Sequence, residues 1–481
     1  MTGRRLVVVG DALLDRDVEG TVGRISPDAP VPVLEESAVT VRPGGAALAA
    51  LIAAGDGHPV TLVTALGEGA AGAEVRRMLA AAGVEVLAAR AEAPTPEKIR
   101  YRAGGHPLLR LDRGGPSAPS GPLPAGAVAA LEAAGAVLVS DYGRGVAGRG
   151  DVRAALARRR LPTVWDPHPR GAVPVAGMAA VTPNRAELEH AVPDSEAGPG
   201  GDPLLAVAVR ARAARSRWQA QAVAATLGED GALLVSGDGP PMVVPARPQS
   251  GDPCGAGDRF ASAVAAGLLQ GALLSEAVTA AVDAAGRFVA AGGAAAMSQP
   301  AGQTGQPTAA DGARKPPTGL VAGVAPGGAA PTDPAGMAAA VRDAGGRVVV
   351  AGGCFDLLHA GHVSLLQAAR RLGDCLIVAV NSDASVRRLK GRGRPVVREA
   401  DRVAMLQALS CVEGVVVFDD DSPIPTLRAL RPHLFAKGGD YSNRRLPEED
   451  VLAEWGGQVV ILPYLSGRST TGLLDLTATG R

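Results

Sequence analysis

In two stretches of this chain, short β-branched runs alternate with apolar helical periods, an order that suits mainly parallel sheets with helices on both faces. The front stretch offers strands at Arg4–Gly10, Val60–Ala65, Val137–Val139, Pro162–Trp165, Ala179–Thr182 and Ala222–Leu227. The rear stretch offers Arg347–Ala351, Leu376–Asn381, Val415–Phe418, Leu434–Lys437 and Val459–Leu462. Helices are expected between them at Val363–Leu372, around Asp401–Leu409, after Pro425 and at Glu448–Trp455. Between the stretches, Ser298–Pro334 is rich in Gly, Pro, Ala, Thr and Gln and has no apolar period, so it reads as a flexible linker. A chain of 481 residues exceeds one ordinary core. Three parts are therefore expected: residues 1–297, a linker over 298–335, and residues 336–481. Gly20–Glu36, with Pro27, Pro30 and Pro32, suits an edge or lid strand outside the main sheet.

Charge narrows the partners. Lys+Arg and Asp+Glu both number 48, the formal net charge is +0, and no global basic field favours nucleic acid or an anionic membrane. Phosphate binding must then be local. Lysine occurs only at Lys98, Lys315, Lys390 and Lys437. The four cysteines (Cys254, Cys354, Cys375, Cys411) form no CxxC and no zinc spacing, as expected of reduced thiols in a cytoplasmic protein. The N-terminal apolar run stops at Asp11, too short for a signal-peptide core, and no segment has the apolar length of a membrane span.

Two segments carry chemistry. Val348–Gly373 runs three valines into a glycine turn, then Cys354, Phe355 and Asp356, then His359 and His362. Leu365, Leu366, Ala369 and Leu372 follow at helical spacing. A strand, a Gly turn and a helix start bring two imidazoles and open backbone N–H groups around one anion. In Ser250–Gly267, Gly255, Ala256 and Gly257 precede an Ala/Val helix with Asp258 in its first turn. That suits a phosphate held by amides beside a carboxylate base, although an acidic helix N-terminus alone also explains it. Asp11, Asp141, Asp166 and Asn184–Glu187 each follow a strand, on the edge where open α/β sheets bind ligands. Asp11 fits a helix cap equally well.

The residues GGCFDLLHAGH resemble the signature of the HxGH nucleotidyltransferases, and the likeness continues through Asn381–Pro395, Lys437–Tyr441 and Gly467–Thr471. These runs resemble the adenylyltransferase half of bacterial bifunctional heptose-phosphate kinase/heptose-1-phosphate adenylyltransferases. GDALLD, RPGG, NRAE and DPCGAGD resemble, in order and spacing, the PfkB/ribokinase sugar kinases along about the first 295 residues. GRISPDAPVPVLE and SDYGRG resemble the heptose-7-phosphate kinase branch.

The resemblance implies a ribokinase-like doubly wound α/β sheet with a small β lid, linked to a Rossmann-like HxGH nucleotidyltransferase domain. It implies a two-step enzyme using ATP and Mg²⁺ on sugar phosphates, and a homodimer formed through the lid strands. In the kinase, Asp258 would be the base and the Gly255, Ala256 and Gly257 amides the anion hole. Asn184, Arg185, Ala186 and Glu187 would lie at the phosphates, with Glu187 holding Mg²⁺ through water. Gly228 and Gly231 would face the nucleotide, and Asp11, Gly44 and Gly45 the sugar. In the transferase, His359 and His362 would stabilise the phosphorus under attack, both acting as donors when protonated. Gly353, Cys354, Phe355, Asp356, Lys390, Lys437, Ser469, Thr470 and Thr471 would bind nucleotide or phosphate. Asp356 fits orienting a histidine or lying near the metal.

Two departures stand out. Leu48 replaces the family's usual Asn, and Ala351, Gly352, Gly353 and Cys354 stand where the family has Thr-Asn-Gly-Cys. One missing hydrogen bond in a buried sugar site costs about 1–3 kcal/mol. Another sugar or polyol phosphate, CTP in the second step, or a sugar-phosphate sensor with a degenerate kinase half are the alternatives.

Overall fold

The computed structural model describes residues 5–114, 121–193, 202–300, 333–439 and 445–463. The front half builds on β1 (Leu6–Gly10), whose five residues are all buried between parallel neighbours. A strand covered on both faces must be apolar throughout, which is why LVVVG reads as a run rather than an alternation. Two long antiparallel strands follow, β2 (Ala12–Ile25) and β3 (Pro32–Gly45), and then β4 (Val60–Gly67), β5 (Glu85–Ala91), β6 (Glu97–Ala103) and β7 (His106–Arg113). The main sheet resumes with β8 (Ala136–Ser140), β9 (Thr163–Asp166), β10 (Ala180–Val181), β11 (Val223–Thr226), β12 (Ala232–Val235) and β13 (Met242–Val244). Its order is β5-β4-β1-β8-β9-β10-β11-β12-β13, parallel up to β11 and antiparallel from there to β13.

The lid is a separate five-stranded sheet, β14-β3-β2-β6-β7, in which β14 is Gln299–Pro300. Its outer part is open: every residue of β7 is exposed, and so is the far end of β2. Helix Ala46–Gly55 leaves β3 at Gly45 and packs against helix Ala256–Leu269.

The rear half is an all-parallel sheet of β17 (Gly414–Phe418), β16 (Cys375–Asn381), β15 (Val348–Gly353), β18 (Leu434–Gly438) and β19 (Gln458–Leu462), in that order. Met242 of β13 pairs with Ile461 of β19, whose N–H donates to the Pro241 carbonyl at 2.9 Å. The two sheets therefore run into one another edge to edge. Asp202 of the front half and Arg347 of the rear half form an ion pair of 2.8 Å.

Three differences from the sequence reading have physical causes. The lid strands β6 and β7 carry charged or polar residues throughout (EKIRYRA, HPLLRLDR), so no apolar run marks them. The stretch read as a linker is structured at both ends: Gln299 pairs with Val41 of β3, and helix Pro334–Asp343 starts on the Asp333 cap and buries Ala338. Helix Asp383–Lys390, capped by the Ser382 hydroxyl, lies inside the motif run after β16.

Candidate active sites

The front site forms where β1, β8, β9 and β10 end and helix Ala256–Leu269 begins. Gly255 precedes that helix at φ 80°, a left-handed conformation that favours glycine. The Ala256 N–H closes the turn onto the Pro253 carbonyl at 3.0 Å. The sequence reading gave this amide to the anion, but the turn takes it. First-turn N–H groups have no partner four residues back, so Gly257 and Asp258 supply the open amides. Asn184, Arg185, Ala186, Gly228, Gly231, Ala256 and Gly257 line one cleft of about 910 Å³, whose far wall includes Phe260, Val282 and Val289. A cleft lined by both polar loop residues and apolar helix residues suits a nucleotide.

Asn184 and Glu187 form a capping box on helix Arg185–Ala191. Asn184 Oδ1 accepts from the Glu187 N–H at 2.9 Å, and Glu187 Oε2 accepts from the Asn184 N–H at 2.8 Å. Arg185 pairs with Asp230 at 2.6 Å, tying this loop to the Gly228–Gly231 turn. Burial raises the Glu187 pKa, opposed by its bonds to Asn184. The box uses Oε2, and the second carboxylate oxygen, Oε1, is the kind of donor that suits a hydrated Mg²⁺. Among the described residues no group of three or more His, Cys, Asp or Glu could hold a metal ion directly. The fit is to an ion held through water and phosphate.

Asp258 is 6% exposed, and the Tyr142 hydroxyl lies 3.0 and 2.9 Å from its two carboxylate oxygens. Burial pushes its pKa up to about 7; the Tyr142 bond and Lys98 oppose that, while Asp15 and Glu187 add to it. A carboxylate that titrates near neutrality suits a general base. Tyr142 and Lys98 were not singled out from the sequence.

Asp11 has a different task from the sugar contact expected of it. Its Oδ2 accepts from the Tyr142 and Arg144 N–H groups at 3.1 and 2.9 Å, and its Oδ1 from Val146 N–H at 3.0 Å. Three amides occupy most of the carboxylate's acceptor capacity, so Asp11 anchors the loop that carries Tyr142. The glycine pair makes room beside it. A Cβ on Gly44 would lie 2.5 Å from Asp15 Oδ2, and one on Gly45 (φ 62°) 2.4 Å from the Asp11 carbonyl. Leu48 is 3% exposed and packs with Ile52 and Ala294 against Cys254, Phe288 and Met297, behind the Gly255 turn.

The rear site forms at the end of β15. A Cβ on Gly352 would lie 2.8 Å from the Phe435 ring, which explains glycine there. Phe355 and Leu357 take φ of 48° and 55° to turn the chain into helix Ala360–Arg370. His359 caps that helix, its Nδ1 accepting from Gly361 N–H at 3.1 Å. The His359 and His362 rings stack at 4.0 Å between centroids and 28°, and Phe355 lies 5.4 Å from His362. The two imidazoles therefore stand together, as the motif demanded. His362 Nδ1 is buried with no hydrogen-bond partner among the described residues. Burial, then the neighbouring His359, lowers the His362 pKa to about 4. Without phosphate His362 is thus neutral at pH 7, so the protonated form in which it would be a full donor is not its resting one.

Around the histidines the motif residues divide. The Cys354 thiol is pushed up by burial and stays protonated, while its carbonyl accepts from Arg402 at 2.6 Å. Asp356 is buried, 4% exposed. It accepts from the Val396 and Val397 N–H groups at 2.9 and 3.0 Å and pairs with Arg394 at 3.0 Å, fixing the loop after Lys390. Lys390 is exposed at the end of its helix. Lys437 pairs with the buried Glu448 at 3.0 Å. Gly353 ends β15, a Cβ there meeting the Phe355 ring at 3.2 Å. Ser469, Thr470 and Thr471 lie outside the described residues.

Residues 4–301 match the model of the pfkB family carbohydrate kinases, and residues 350–455 match the cytidylyltransferase-like model. A protein from Streptomyces coelicolor named bifunctional protein HldE is 52% identical over 477 residues, covering 99% of this chain and 97% of that one. A protein of the same name from Halorhodospira halophila is 39% identical over 479 residues, covering 98% and 96%. The solved ribokinase of Arabidopsis thaliana, complexed with ribose and ATP, aligns with 60% of this chain and 93% of its own at 20% identity and a TM-score of 0.49. No helix among the described residues is long and apolar enough to cross a membrane. The chain belongs to the family of the bifunctional HldE proteins, enzymes that carry a PfkB carbohydrate kinase and a nucleotidyltransferase on one polypeptide.

Proposed function

We propose that the front half phosphorylates the anomeric hydroxyl of D-glycero-β-D-manno-heptose 7-phosphate with ATP. After another enzyme removes the 7-phosphate, the rear half transfers AMP from ATP to heptose 1-phosphate, giving ADP-heptose and pyrophosphate. The observation that carries the reading is Asp258: a buried carboxylate with a pKa near 7, in the first turn of the helix whose open amides border the 910 Å³ cleft.

Asp258 accepts the proton of the sugar hydroxyl as its oxygen bonds to the γ-phosphorus and the bond to the β-phosphate oxygen breaks. The Gly257 and Asp258 amides meet the negative charge of the transferred group. Mg²⁺, when bound, neutralises charge on the phosphates, and Glu187 Oε1 with its waters would hold it. In the rear half the sugar phosphate oxygen bonds to the α-phosphorus and pyrophosphate leaves. His359 and His362 meet the charge that builds there, and triphosphate beside them favours their protonated forms. Lys390 stands at the edge of the motif loop for an incoming phosphate, and Lys437 would reach one by exchanging its bond to Glu448.

The heptose assignment rests on the two motif runs in each half and on relatives that span nearly the whole chain. CTP is the second reading for the rear half, favoured by the cytidylyltransferase-like description of its matched model. Leu48 lies in the apolar cluster behind Gly255, so it no longer favours a degenerate kinase. We also read the chain as a cytoplasmic homodimer joined through the lid. Val22, Ile25, Val31, Leu108, Leu109 and Leu111 make up half of the exposed large apolar residues among those described, and all lie on the lid. Four free thiols suit the compartment.

The test supplies purified enzyme with ATP, Mg²⁺ and heptose 7-phosphate, then separately with heptose 1-phosphate and either ATP or CTP. Heptose 1,7-bisphosphate in the first assay and ADP-heptose in the second support the reading. Phosphorylation of other sugars alone, or a CDP-linked product, contradicts it.

A further inference from the structure

We propose that Tyr142 is a positioning residue of the kinase, its hydroxyl holding and aiming the Asp258 carboxylate for the proton it takes from the substrate. This rests on the reading above in which Asp258 is the base. Backbone and ring contacts together fix the phenol. Its backbone is held by the Asp11 carboxylate, which also accepts from Arg144 and Val146. The next residue along, Gly143, is held by Asp141, whose other oxygen accepts from Ala172 N–H at 2.7 Å. The ring stacks on His168 at 6.2 Å, and the Lys98 ammonium from the lid lies 5.0 Å from its centroid. Gly45 borders it: a Cβ there would stand 3.4 Å from Tyr142 Cδ2, in ordinary contact. A half-buried phenol gains from a partner for its O–H, and the partner here is the base itself, at 2.9 and 3.0 Å.

The electrostatic consequence has one direction. A hydroxyl that donates to a carboxylate favours the ionised form, and Lys98 acts the same way. Asp15, Glu187 and Asp166 act against it from the lid, helix Arg185–Ala191 and β9. Burial, then the Asp258, Asp166 and Asp15 carboxylates, raise the Tyr142 pKa well above its ordinary value, so it remains a donor across the working range. Tyr142 keeps its own proton, and the substrate's proton stays on Asp258.

The experiment compares full-length wild type, Tyr142→Phe and Asp258→Asn. Kinase turnover of heptose 7-phosphate is followed against pH, and the Asp258 carboxyl is titrated by ¹³C NMR without substrate. In Tyr142→Phe the acid limb and the carboxyl titration should both move up by about one pH unit or more. Activity should fall about tenfold or more below pH 7 and largely recover at pH 9. A uniform loss at every pH, with the carboxyl titrating where it does in wild type, overturns the proposal. Placing 3,5-difluorotyrosine at position 142 keeps the shape and strengthens the donor, so it should move the limb toward acid; no movement there also overturns it. Retained phosphoryl transfer in Asp258→Asn would instead overturn the assignment of the base.

Discussion

Nη1 of Arg402 lies 2.6 Å from the Cys354 carbonyl oxygen and 2.8 Å from that of Asn381. The same guanidinium donates through Nε to the Val397 carbonyl at 3.1 Å and pairs through Nη2 with Asp383 at 2.8 Å. One buried cation thus ties the turn before the histidines to the end of β16 and to the loop held by Asp356. Arg402→Met removes the cation and leaves three carbonyls and a carboxylate to find other partners. Breaking a buried pair of this kind costs about 3–5 kcal/mol. Differential scanning calorimetry should show the rear half melting earlier, with adenylyl transfer lost and kinase turnover kept.

His362 makes the rear half sensitive to acid. Its pKa is lowered from 6.5 to about 4 in the folded chain, so between those values the unfolded chain binds a proton that the folded chain does not. Stability from this residue is therefore present above pH 6.5 and is lost as pH falls toward 4. Urea unfolding of His362→Gln should show a shallower loss of stability over that window than wild type. An equal slope in both proteins contradicts the assignment.

Leu48→Asn restores the residue that the resemblance leads one to expect, yet the site around it is apolar. An amide among Ile52, Ala294 and Phe288 without a partner costs about 1–3 kcal/mol. Thermal unfolding should start earlier, with KM for the sugar phosphate unchanged or raised. A lowered KM would mean that position 48 faces the sugar.

Glu187 combines a cap with the Mg²⁺ role proposed for its second carboxylate oxygen, and two substitutions separate them. Glu187→Gln can keep the bond to the Asn184 N–H while losing the charge, so stability should hold and the Mg²⁺ concentration for half-maximal kinase rate should rise. Glu187→Ala loses both and should also cost about 0.5–2 kcal/mol of stability, read by urea unfolding.

The sequence revealed most where chemistry and local structure coincide. The β1 and β15 runs read as central strands because both faces of each are covered, and the glycine turns and helix starts sit beside them in the chain. The lid strands β6 and β7 were hidden because a sheet open to solvent needs no apolar alternation. Tyr142 lies 116 residues from Asp258, and nothing local in SDYGRG says that the phenol meets the base. Arg402 was hidden for the same reason, since its partners come from three separate loops. Asp11 and Asp356 were found as site carboxylates, but whether a carboxylate meets a ligand or a run of backbone amides depends on folds of the chain far from it.

The central claim is that two separate pockets on one chain act in turn, one through a carboxylate and one through paired imidazoles. The most direct measurement assays Asp258→Asn and His362→Ala for both steps, each with its own substrate supplied. Asp258→Asn should lose kinase turnover by a factor of about 10²–10⁴ and keep adenylyl transfer to heptose 1-phosphate, and His362→Ala should do the reverse. Loss of both steps in either folded variant, or of neither, would contradict the account.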